Sequence, residues 1–425
     1  MRTASSSAVS AVNSESASAL GCAPVILTPD FASHEWRPLS WARVGDGRVL
    51  VGWPDGCEFT CHPLWLYEQS VAIDPTTREG TVHPGDLPET AALQSVAVAG
   101  DGSLELAWAG LDPVRVHPGW LRSVADGDHL PQASIGPPLD WSADSMTDLP
   151  TFDGGRVLDD PDVLEAWLSS LCTVGVGRLR NSPATDDFMG ELAERIGPIR
   201  GSNFGGVFTV ESVVEPDSTA NTGRALGQHT DLPTRETPPG FQFLHCVENS
   251  VIGGRSLMSD GRAVVAELER RDPSAYESLT TDEWVFANRA VDGDHRWIGP
   301  IIDRGGPRSP LTIRAFYPVR LAPHMPVDRQ QQAYDAMRQF SEIAHDPRFV
   351  IASEFEPGDL VGFDNRRILH GREGFDPSTG RRRLRGCYID HDDVFSRLRV
   401  LRRRVAPPVR PTPSAHASSA ESLTT

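Results

Sequence analysis

Apolar residues change their spacing several times along the chain, and each spacing predicts a different element. In residues 159–172, DDPDVLEAWLSSLC, they recur at i, i+3 and i+4 behind an aspartate cap and a proline, which is typical of an amphipathic helix. The same spacing predicts helices in residues 185–197, 259–273 and 328–347. The first of these three ends at Gly197, a common residue at helix C-termini.

Other stretches alternate between apolar and polar residues with a period of two, which is typical of strands. The alternation covers residues 349–375, FVIASEFEPGDLVGFDNRRILHGREGF, where turn residues divide it into three strands, and it returns in residues 380–390. Residues 240–249 also have a strand-like composition. Short strands with a few covering helices, without βαβ alternation, predict a mixed α+β fold with a double-stranded β-helix (jelly-roll) core.

The first part of the chain contains an internal repeat. Residues 49–66, VLVGWPDGCEFTCHPLWL, align with residues 104–121, LELAWAGLDPVRVHPGWL. Each copy contains a strand, a glycine turn, a second strand and the motif H-P-x-W-L. We interpret the copies as two β-hairpins whose tryptophans share one core, and we expect their histidines, His62 and His117, to be structural.

Composition divides the chain into five parts. A serine- and alanine-rich start and a proline- and serine-rich end cannot form a packed core, so both are predicted to be disordered tails. We interpret a second stretch rich in proline and polar residues as a linker. The predicted parts are a tail at 1–22, a small β-rich domain at 23–130, the linker at 131–150, a jelly-roll domain at 151–404 and a tail at 405–425.

Charge and residue usage exclude several function classes. The chain of 425 residues has a net charge of -18, which argues against nucleic-acid binding. It contains no lysine, so Schiff-base and P-loop lysine chemistry is excluded, and anionic ligands must be bound largely by arginine. Six scattered cysteines, no apolar run long enough to span a membrane and no signal-peptide pattern predict a reduced, cytoplasmic location.

A candidate metal site begins in GRALGQHTDLP, residues 223–233. Residues two apart on a strand share a face, so His229 and Asp231 can project into one cavity and supply two thirds of a facial triad for non-haem iron. Chance alone yields about two such H-x-D/E matches in a chain of this composition, so the motif needs context. The other match is His391 with Asp393, which we expect to be a helix cap and a surface residue.

The third ligand is expected on a distant strand, since a facial triad closes across a barrel. The best candidate is His370, in DNRRILHGREGF, near the end of a predicted strand. In the next strand, GRRRLRGCYID, residues 382, 384, 386 and 388 share one face. One of its three consecutive arginines would therefore lie beside His370, where a dicarboxylate could be bound, and Ser256 after a Gly-Gly turn could supply a hydroxyl.

Four segments in order resemble the γ-butyrobetaine dioxygenase branch of the Fe(II)/2-oxoglutarate-dependent TauD/TfdA superfamily. They are GQHTDLP, PGFQFLHCVENSVIGGRSLMSDG, PGDLVGFDNRRILHGREGF and RRRLRGCYIDHDDVFSRLRVL. The resemblance covers nearly the whole chain and implies Fe(II) bound by His229, Asp231 and His370. It also implies 2-oxoglutarate as co-substrate, held by Arg382 with Ser256 nearby, and a homodimer.

The sequence departs from this family in two places. The cysteine cluster that often binds zinc in the N-terminal domain is missing from WLYEQSVAIDPTT, and Asp112 stands at the later histidine position, so structural zinc is not expected. The family's trimethylammonium cage aligns with Phe204, Phe208, Asn221 and Tyr388, of which one is polar. Leu232 replaces a common tyrosine, and Phe316 or Tyr317 replaces asparagines that contact the substrate carboxylate.

The sequence therefore predicts an Fe(II)- and 2-oxoglutarate-dependent dioxygenase that hydroxylates a small molecule other than γ-butyrobetaine, with dioxygen as the second co-substrate. A true γ-butyrobetaine or trimethylammonium-compound hydroxylase is the first alternative. A metal-binding jelly-roll protein without catalysis is an alternative of another class. Arg382 with Ser256 argues against the last reading, because a protein that only holds metal does not need to bind a dicarboxylate.

Overall fold

The computed structural model describes residues 26–87, 93–131, 133, 135–211, 222–288, 293–305 and 311–403. Both predicted tails lie outside these residues. The described residues divide into two compact units, of which the first contains residues 26–130 and Arg403, and the second is Pro131–Arg402. Among the described helices, none combines the length and the hydropathy that crossing a membrane requires.

The first unit contains two similar three-stranded antiparallel sheets, each followed by a short helix. The orders are β1-β2-β3 and β4-β5-β6. The sequence pattern predicted two strands of each sheet and missed the first, and the H-P-x-W-L motif starts a helix in both copies. The elements are β1 (Trp41–Gly45), β2 (Arg48–Gly52), β3 (Glu58–Cys61), α1 (Pro63–Ser70), β4 (Leu93–Val98), β5 (Leu104–Trp108), β6 (Val114–Val116) and α2 (Pro118–Ala125).

The repeated histidines cap these two helices. The Nδ1 atom of His62 accepts a hydrogen bond from the backbone N–H of Leu64 at 3.2 Å. The Nδ1 atom of His117 accepts two, from the backbone N–H groups of Gly119 and Trp120 at 3.1 and 3.2 Å. Each imidazole thus takes the place of the usual serine or aspartate at the helix N-cap.

One apolar core joins the two repeats. It contains the buried indoles of Trp53 and Trp108, which occupy equivalent positions. The indoles of Trp65 and Trp120 are equivalent too, and they stack with a centroid distance of 5.6 Å and an interplanar angle of 15°. The tryptophans of the repeat therefore pack against one another, as the repeat predicted.

The second unit contains six helices and fourteen strands in the described residues. The helices are α3 (Pro161–Thr173), α4 (Phe188–Ile196), α5 (Gly261–Arg271), α6 (Pro273–Thr281), α7 (Val327–His345) and α8 (His391–Arg402). The strands are β7 (Thr151–Asp153), β8 (Val176–Arg180), β9 (Phe208–Glu211), β10 (Leu226–His229), β11 (Phe241–Asn249), β12 (Ser256–Asp260), β13 (Trp284–Ala287), β14 (Arg296–Gly299), β15 (Ile302–Asp303), β16 (Thr312–Ile313), β17 (Ile351–Ser353), β18 (Leu360–Asp364), β19 (Ile368–Arg372) and β20 (Arg382–Ile389).

Two sheets of this unit form a jelly roll. The orders are β7-β8-β18-β11-β20-β9 and β10-β19-β12-β17, and both sheets contribute to one buried cluster that includes Phe363 of the first and Met258 of the second. The chain passes to the other sheet at every step from β10 to β11 and β12, and again from β17 to β18, β19 and β20. This alternation is the connectivity of a double-stranded β-helix, as the sequence pattern predicted.

Helices cover the outer faces of both sheets. Helices α3, α4 and α8 pack on the six-stranded sheet around the fully buried Trp167, whose indole N–H donates to the Gly177 carbonyl oxygen at 3.1 Å. Helices α5, α6 and α7, with the short strands β13–β16, form a second cluster that includes Leu369 of β19. The strands in this second layer have two to four residues each, and the sequence pattern did not predict them.

Residues 135–150, predicted to be part of a linker, pack on the second unit instead. The Trp141 side chain is buried there, and its indole N–H donates to the Val174 carbonyl oxygen at 3.0 Å. Its backbone N–H donates to the carboxylate of Asp260 at 3.0 Å, and that carboxylate also pairs with the buried Arg367 at 2.8 Å. An isolated tryptophan among prolines forms no repeating pattern, so local pattern could not predict this packing.

Candidate active site

The three predicted metal ligands lie together inside the jelly roll. Strand β10 ends at His229, which pairs directly with His370 of β19, and Asp231 follows in the turn. One carboxylate oxygen of Asp231, Oδ1, lies 3.2 Å from Nε2 of His229 and 3.8 Å from Nε2 of His370. Among the described residues this is the one group of three His, Cys, Asp or Glu side chains whose ligand atoms all lie within 4.8 Å of one another.

Both imidazoles direct Nε2 towards the Asp231 carboxylate. The Nδ1–H of His229 donates to the Gly227 carbonyl oxygen at 2.9 Å, which fixes the orientation of its ring. The ring of His370 packs against Phe363 with a centroid distance of 4.7 Å. Burial, and then the neighbouring His229, lower the pKa of His370 to about 3, so this ring is uncharged at neutral pH.

The carboxylate of Asp231 is held from the opposite side. Its second oxygen, Oδ2, accepts a hydrogen bond from the hydroxyl of Tyr388 at 2.7 Å. Burial acts to raise the pKa of Asp231, but hydrogen bonding to His229 and Tyr388 and the nearby imidazoles outweigh it, and the pKa lies well below its ordinary value. Two imidazole nitrogens and one carboxylate oxygen form a donor set that fits a divalent transition metal.

His370 lies on β19 of the four-stranded sheet, and β19 does not pair with β20, contrary to our expectation of adjacent strands. Arg382 begins β20 of the six-stranded sheet. It is 5% exposed, forms no ion pair with any described carboxylate, and its Nε has no hydrogen-bond partner. Its guanidinium carbon lies 5.9 Å from the ring centroid of Phe375, and that of Arg372 lies 4.8 Å from the same ring. Burial, and then Arg372, lower the pKa of Arg382 to about 10, so it remains charged at neutral pH.

Ser256 begins β12 and is buried opposite Arg372 in the register of β12 and β19. The hydroxyl and two guanidinium groups therefore belong to the same end of the barrel. Arg382 is a buried positive charge, and the described residues provide no carboxylate for it. This arrangement suits a carboxylate ligand.

Three aromatic rings form a row that leads from Asp231 towards the surface. The ring of Tyr388 lies 5.2 Å from that of Phe208, and Phe208 lies 5.7 Å from the half-exposed Phe204. Phe208 packs over Gly386, where a Cβ atom would lie 2.4 Å from the ring. Asn221, the fourth residue of the predicted cage, lies outside the described residues.

The structure separates the other predicted substrate residues. The ring of Phe316 lies 5.0 Å from that of His229, beside the metal group. Tyr317 packs instead against Arg320 and the cluster under α7, so Phe316 is the one of the two that contacts a predicted ligand. Leu232 follows Asp231 with a φ of +52°, a left-handed conformation that is rare for leucine.

The second H-x-D pair has a structural role that differs from our expectation. His391, expected to cap the helix, is the buried first residue of α8, and its Nε2 lies 2.9 Å from Oδ1 of the partly buried Asp364. Asp393 lies on α8 beside Gly197 and is partly exposed. Sequence reasoning also missed Asn365, which contacts the backbone of Asp231; its place in the turn before the His370 strand was the available signal.

Comparison with known proteins agrees with this geometry. The model of the taurine catabolism dioxygenase TauD, TfdA family matches residues 134–388. This chain belongs to the TauD/TfdA family. It is 37% identical to the gamma-butyrobetaine dioxygenase of Pseudomonas sp. (strain AK-1) over 370 residues, which cover 86% of this chain and 97% of that relative. The chain is a 2-oxoglutarate-dependent dioxygenase that uses Fe(II).

More distant TauD/TfdA relatives are also similar. The human gamma-butyrobetaine dioxygenase is 32% identical over 272 residues, covering 61% of this chain and 69% of that protein. The rat mitochondrial trimethyllysine dioxygenase is 28% identical over 310 residues, with coverages of 71% and 72%. Among solved structures, the PvcB protein of Pseudomonas aeruginosa aligns with a TM-score of 0.45 and 21% identity, covering 60% of this chain and 91% of that one.

Proposed function

We propose that this dioxygenase hydroxylates an unactivated C–H bond of a small molecule, in a pocket altered from that of its γ-butyrobetaine-oxidising relatives. His229, Asp231 and His370 hold the iron in this proposal. When bound, iron supplies the redox chemistry by which dioxygen and 2-oxoglutarate are consumed together. The convergence of two imidazoles and one carboxylate, whose ligand atoms lie within 4.8 Å of one another, is the observation that carries the assignment.

Arg382 binds the distal carboxylate of 2-oxoglutarate, and Ser256 donates its hydroxyl to the same group. The support is chemical, since Arg382 is buried, charged and without an acidic partner among the described residues. A guanidinium can bind a carboxylate through two parallel N–H groups, which fixes the direction of the co-substrate as well as its affinity. A jelly-roll protein that only stored metal would gain nothing from this charge.

The substrate lies between the row formed by Phe204, Phe208 and Tyr388 and the ring of Phe316. These faces exclude water from the reacting C–H bond and hold it near the metal group. The row presents π faces that can bind a cationic substrate group. Such a group is a reasonable ligand, because the chain has relatives named for γ-butyrobetaine and trimethyllysine. Phe316 presents carbon to the site where an amide side chain would bind a substrate carboxylate.

Succinate release tests the reaction class and the altered pocket together. Purified protein with Fe(II), 2-oxoglutarate and air would be assayed by NMR against small amines, amino acids and quaternary ammonium compounds. We expect succinate release to depend on the added substrate, to disappear in His370→Ala, and to be slow with γ-butyrobetaine. Efficient conversion of γ-butyrobetaine to its hydroxylated product would overturn the altered pocket and favour the alternative of a true γ-butyrobetaine hydroxylase.

A pair of variants at position 316 separates polarity from size. Phe316→Asn introduces an amide beside His229, whereas Phe316→Leu removes the ring but keeps the wall apolar. We expect Phe316→Asn to raise kcat/KM for carboxylate-bearing substrates by about tenfold, the usual value of one hydrogen bond to a charged group, and Phe316→Leu to leave it unchanged. Equal effects of the two variants would mean that Phe316 does not define the carboxylate preference.

A further inference from the structure

Asn365 holds the backbone of Asp231 on both sides. Its Oδ1 accepts a hydrogen bond from the N–H of Asp231 at 2.7 Å, and its Nδ2 donates to the Asp231 carbonyl oxygen at 3.1 Å. The side chain is fully buried. These two bonds resemble the pairing of one more strand residue, and they fix the backbone from which the carboxylate extends.

The same asparagine closes the loop that begins at Asp231. Its Nδ2 also lies 3.3 Å from the carbonyl oxygen of Pro239, and its own backbone N–H donates to the carbonyl oxygen of Gly240 at 2.8 Å. Asn365 therefore contacts both ends of the segment 231–240. It lies in the turn between β18 and β19, five positions before His370, so one residue links the segment that contains Asp231 to the strand that contains His370.

The loop needs such support because its backbone is strained. Leu232 has a φ of +52°, a left-handed backbone conformation that is unfavourable for leucine. The following carbonyl oxygens are held by a second side chain, since Arg314 donates to those of Pro233, Arg235 and Glu236 at 2.6–2.8 Å. Without these bonds the segment after Asp231 would relax towards ordinary φ values and turn the carboxylate away.

We propose that Asn365 is a positioning residue, which sets the metal affinity of the site through the backbone of Asp231. The inference rests on the proposed role of Asp231 as a metal ligand. Asn365 keeps Oδ1 of Asp231 facing the two imidazoles, while Tyr388 engages Oδ2. Residues that orient a metal ligand in this way are worth 10- to 100-fold in metal affinity.

The test uses the full-length protein, freed of metal, and titrates it with Mn(II) while the electron paramagnetic resonance signal of free Mn(II) is followed. We expect the dissociation constant of Asn365→Ala to rise at least tenfold, and the spectrum of the Mn(II) that still binds to change. Ser278→Ala is the matched control. Ser278, on α6, is also fully buried, and its hydroxyl donates a hydrogen bond to the carboxylate of Asp282 at 2.6 Å. Its affinity should stay within twofold of the unaltered protein.

Asp231→Ala separates failure of this inference from failure of the proposed function. If the unaltered protein binds no Mn(II), or Asp231→Ala binds it equally well, the metal assignment itself is wrong. If Asp231→Ala loses binding while Asn365→Ala stays within twofold, only the role of Asn365 is overturned. Should Asn365→Ala not fold, Asn365→Asp keeps the acceptor and loses the donor, and an affinity equal to that of the unaltered protein would also overturn it.

Discussion

Arg382 carries a charge that the fold buries without an acidic partner among the described residues. If 2-oxoglutarate supplies that partner, Arg382→Gln should raise the KM for 2-oxoglutarate by about two orders of magnitude, since a buried charge pair that loses one member costs several kcal/mol. The substrate-free variant should also melt at a higher temperature, because it no longer buries an uncompensated charge. Steady-state kinetics and calorimetry measure the two effects.

The neighbouring Arg381 provides the control for this prediction. It is exposed and pairs with Glu211 and Glu248 at the surface. Surface pairs of this kind contribute little, so Arg381→Gln should leave both the KM and the melting temperature almost unchanged. A similar KM in the two variants would show that Arg382 does not bind the co-substrate.

At the scale of elements, the helix cap formed by His117 in the first unit depends on uncharged imidazole. The Nδ1 of His117 accepts two backbone hydrogen bonds, and burial, followed by the charge of His34, lowers its pKa from 6.5 to about 4, while Asp30 acts in the opposite direction. The unfolded chain therefore binds a proton between pH 6.5 and pH 4 that the folded chain does not. The contribution of this cap is complete above pH 6.5 and is lost as the pH falls towards 4.

His117→Asn should remove this pH dependence while it keeps a capping acceptor, because an asparagine side chain does not titrate. His117→Ala should lower the free energy of unfolding of the first unit by about 1 kcal/mol at neutral pH. Urea unfolding at pH 7 and pH 5, followed by tryptophan fluorescence, measures both effects. An unchanged pH dependence in His117→Asn would assign it to another group.

Strand β10 provides a prediction about metal removal. It lies at the edge of the four-stranded sheet, and its register with β19 is irregular between Leu226 and His229. A metal that joins His229 to His370 ties this edge to its neighbour. At a Mn(II) concentration 100 times the dissociation constant, amide exchange in residues 226–231 should slow by about 100-fold.

Strand β17 at the opposite edge of the same sheet is the internal control, since Ile351–Ser353 contains none of the three ligands. Its exchange should not respond to Mn(II). Hydrogen-exchange mass spectrometry with and without the metal compares the two edges in one sample. Equal protection of both edges would mean that the metal acts on the sheet as a whole.

The elements that were predictable extend over many residues. Strands β18, β19 and β20 have five to eight residues, and the helices α3 and α7 have 13 and 19. Strands β13–β16 have two to four residues, which is too short to show a repeating pattern, and they were not predicted. Local pattern therefore predicted the barrel and the covering helices α5 and α7, and missed the short strands of the layer over the smaller sheet.

The residues proposed to bind metal and co-substrate could be predicted from the sequence, but the residues that contact them could not. The spacing of His229 and Asp231 and the arginine-rich strand are local signals. The contact of Asn365 with Asp231 spans 134 positions, and the choice between Phe316 and Tyr317 depends on which ring turns towards His229. His391 shows the limit of motif reasoning, because the same H-x-D spacing there leads to a buried pair with Asp364.

At the scale of the whole molecule, the three predicted ligands, Arg382 and Ser256 all belong to the second unit, Pro131–Arg402. A chain shortened to residues 131–403 should therefore fold and bind Mn(II) with an affinity within threefold of that of the full chain. Circular dichroism and the Mn(II) titration described above check this. A folded but metal-free shortened chain would show that the first unit shapes the site.

The nearly parallel indoles of Trp65 and Trp120 should give the first unit a circular dichroism signal of its own. Two strongly absorbing rings held at 5.6 Å and 15° couple their electronic transitions, and the coupling vanishes once the repeats separate. A pair of oppositely signed ultraviolet bands should therefore be absent in Trp120→Leu. Those bands report whether the first unit is folded, without any label, while the second unit is turning over substrate.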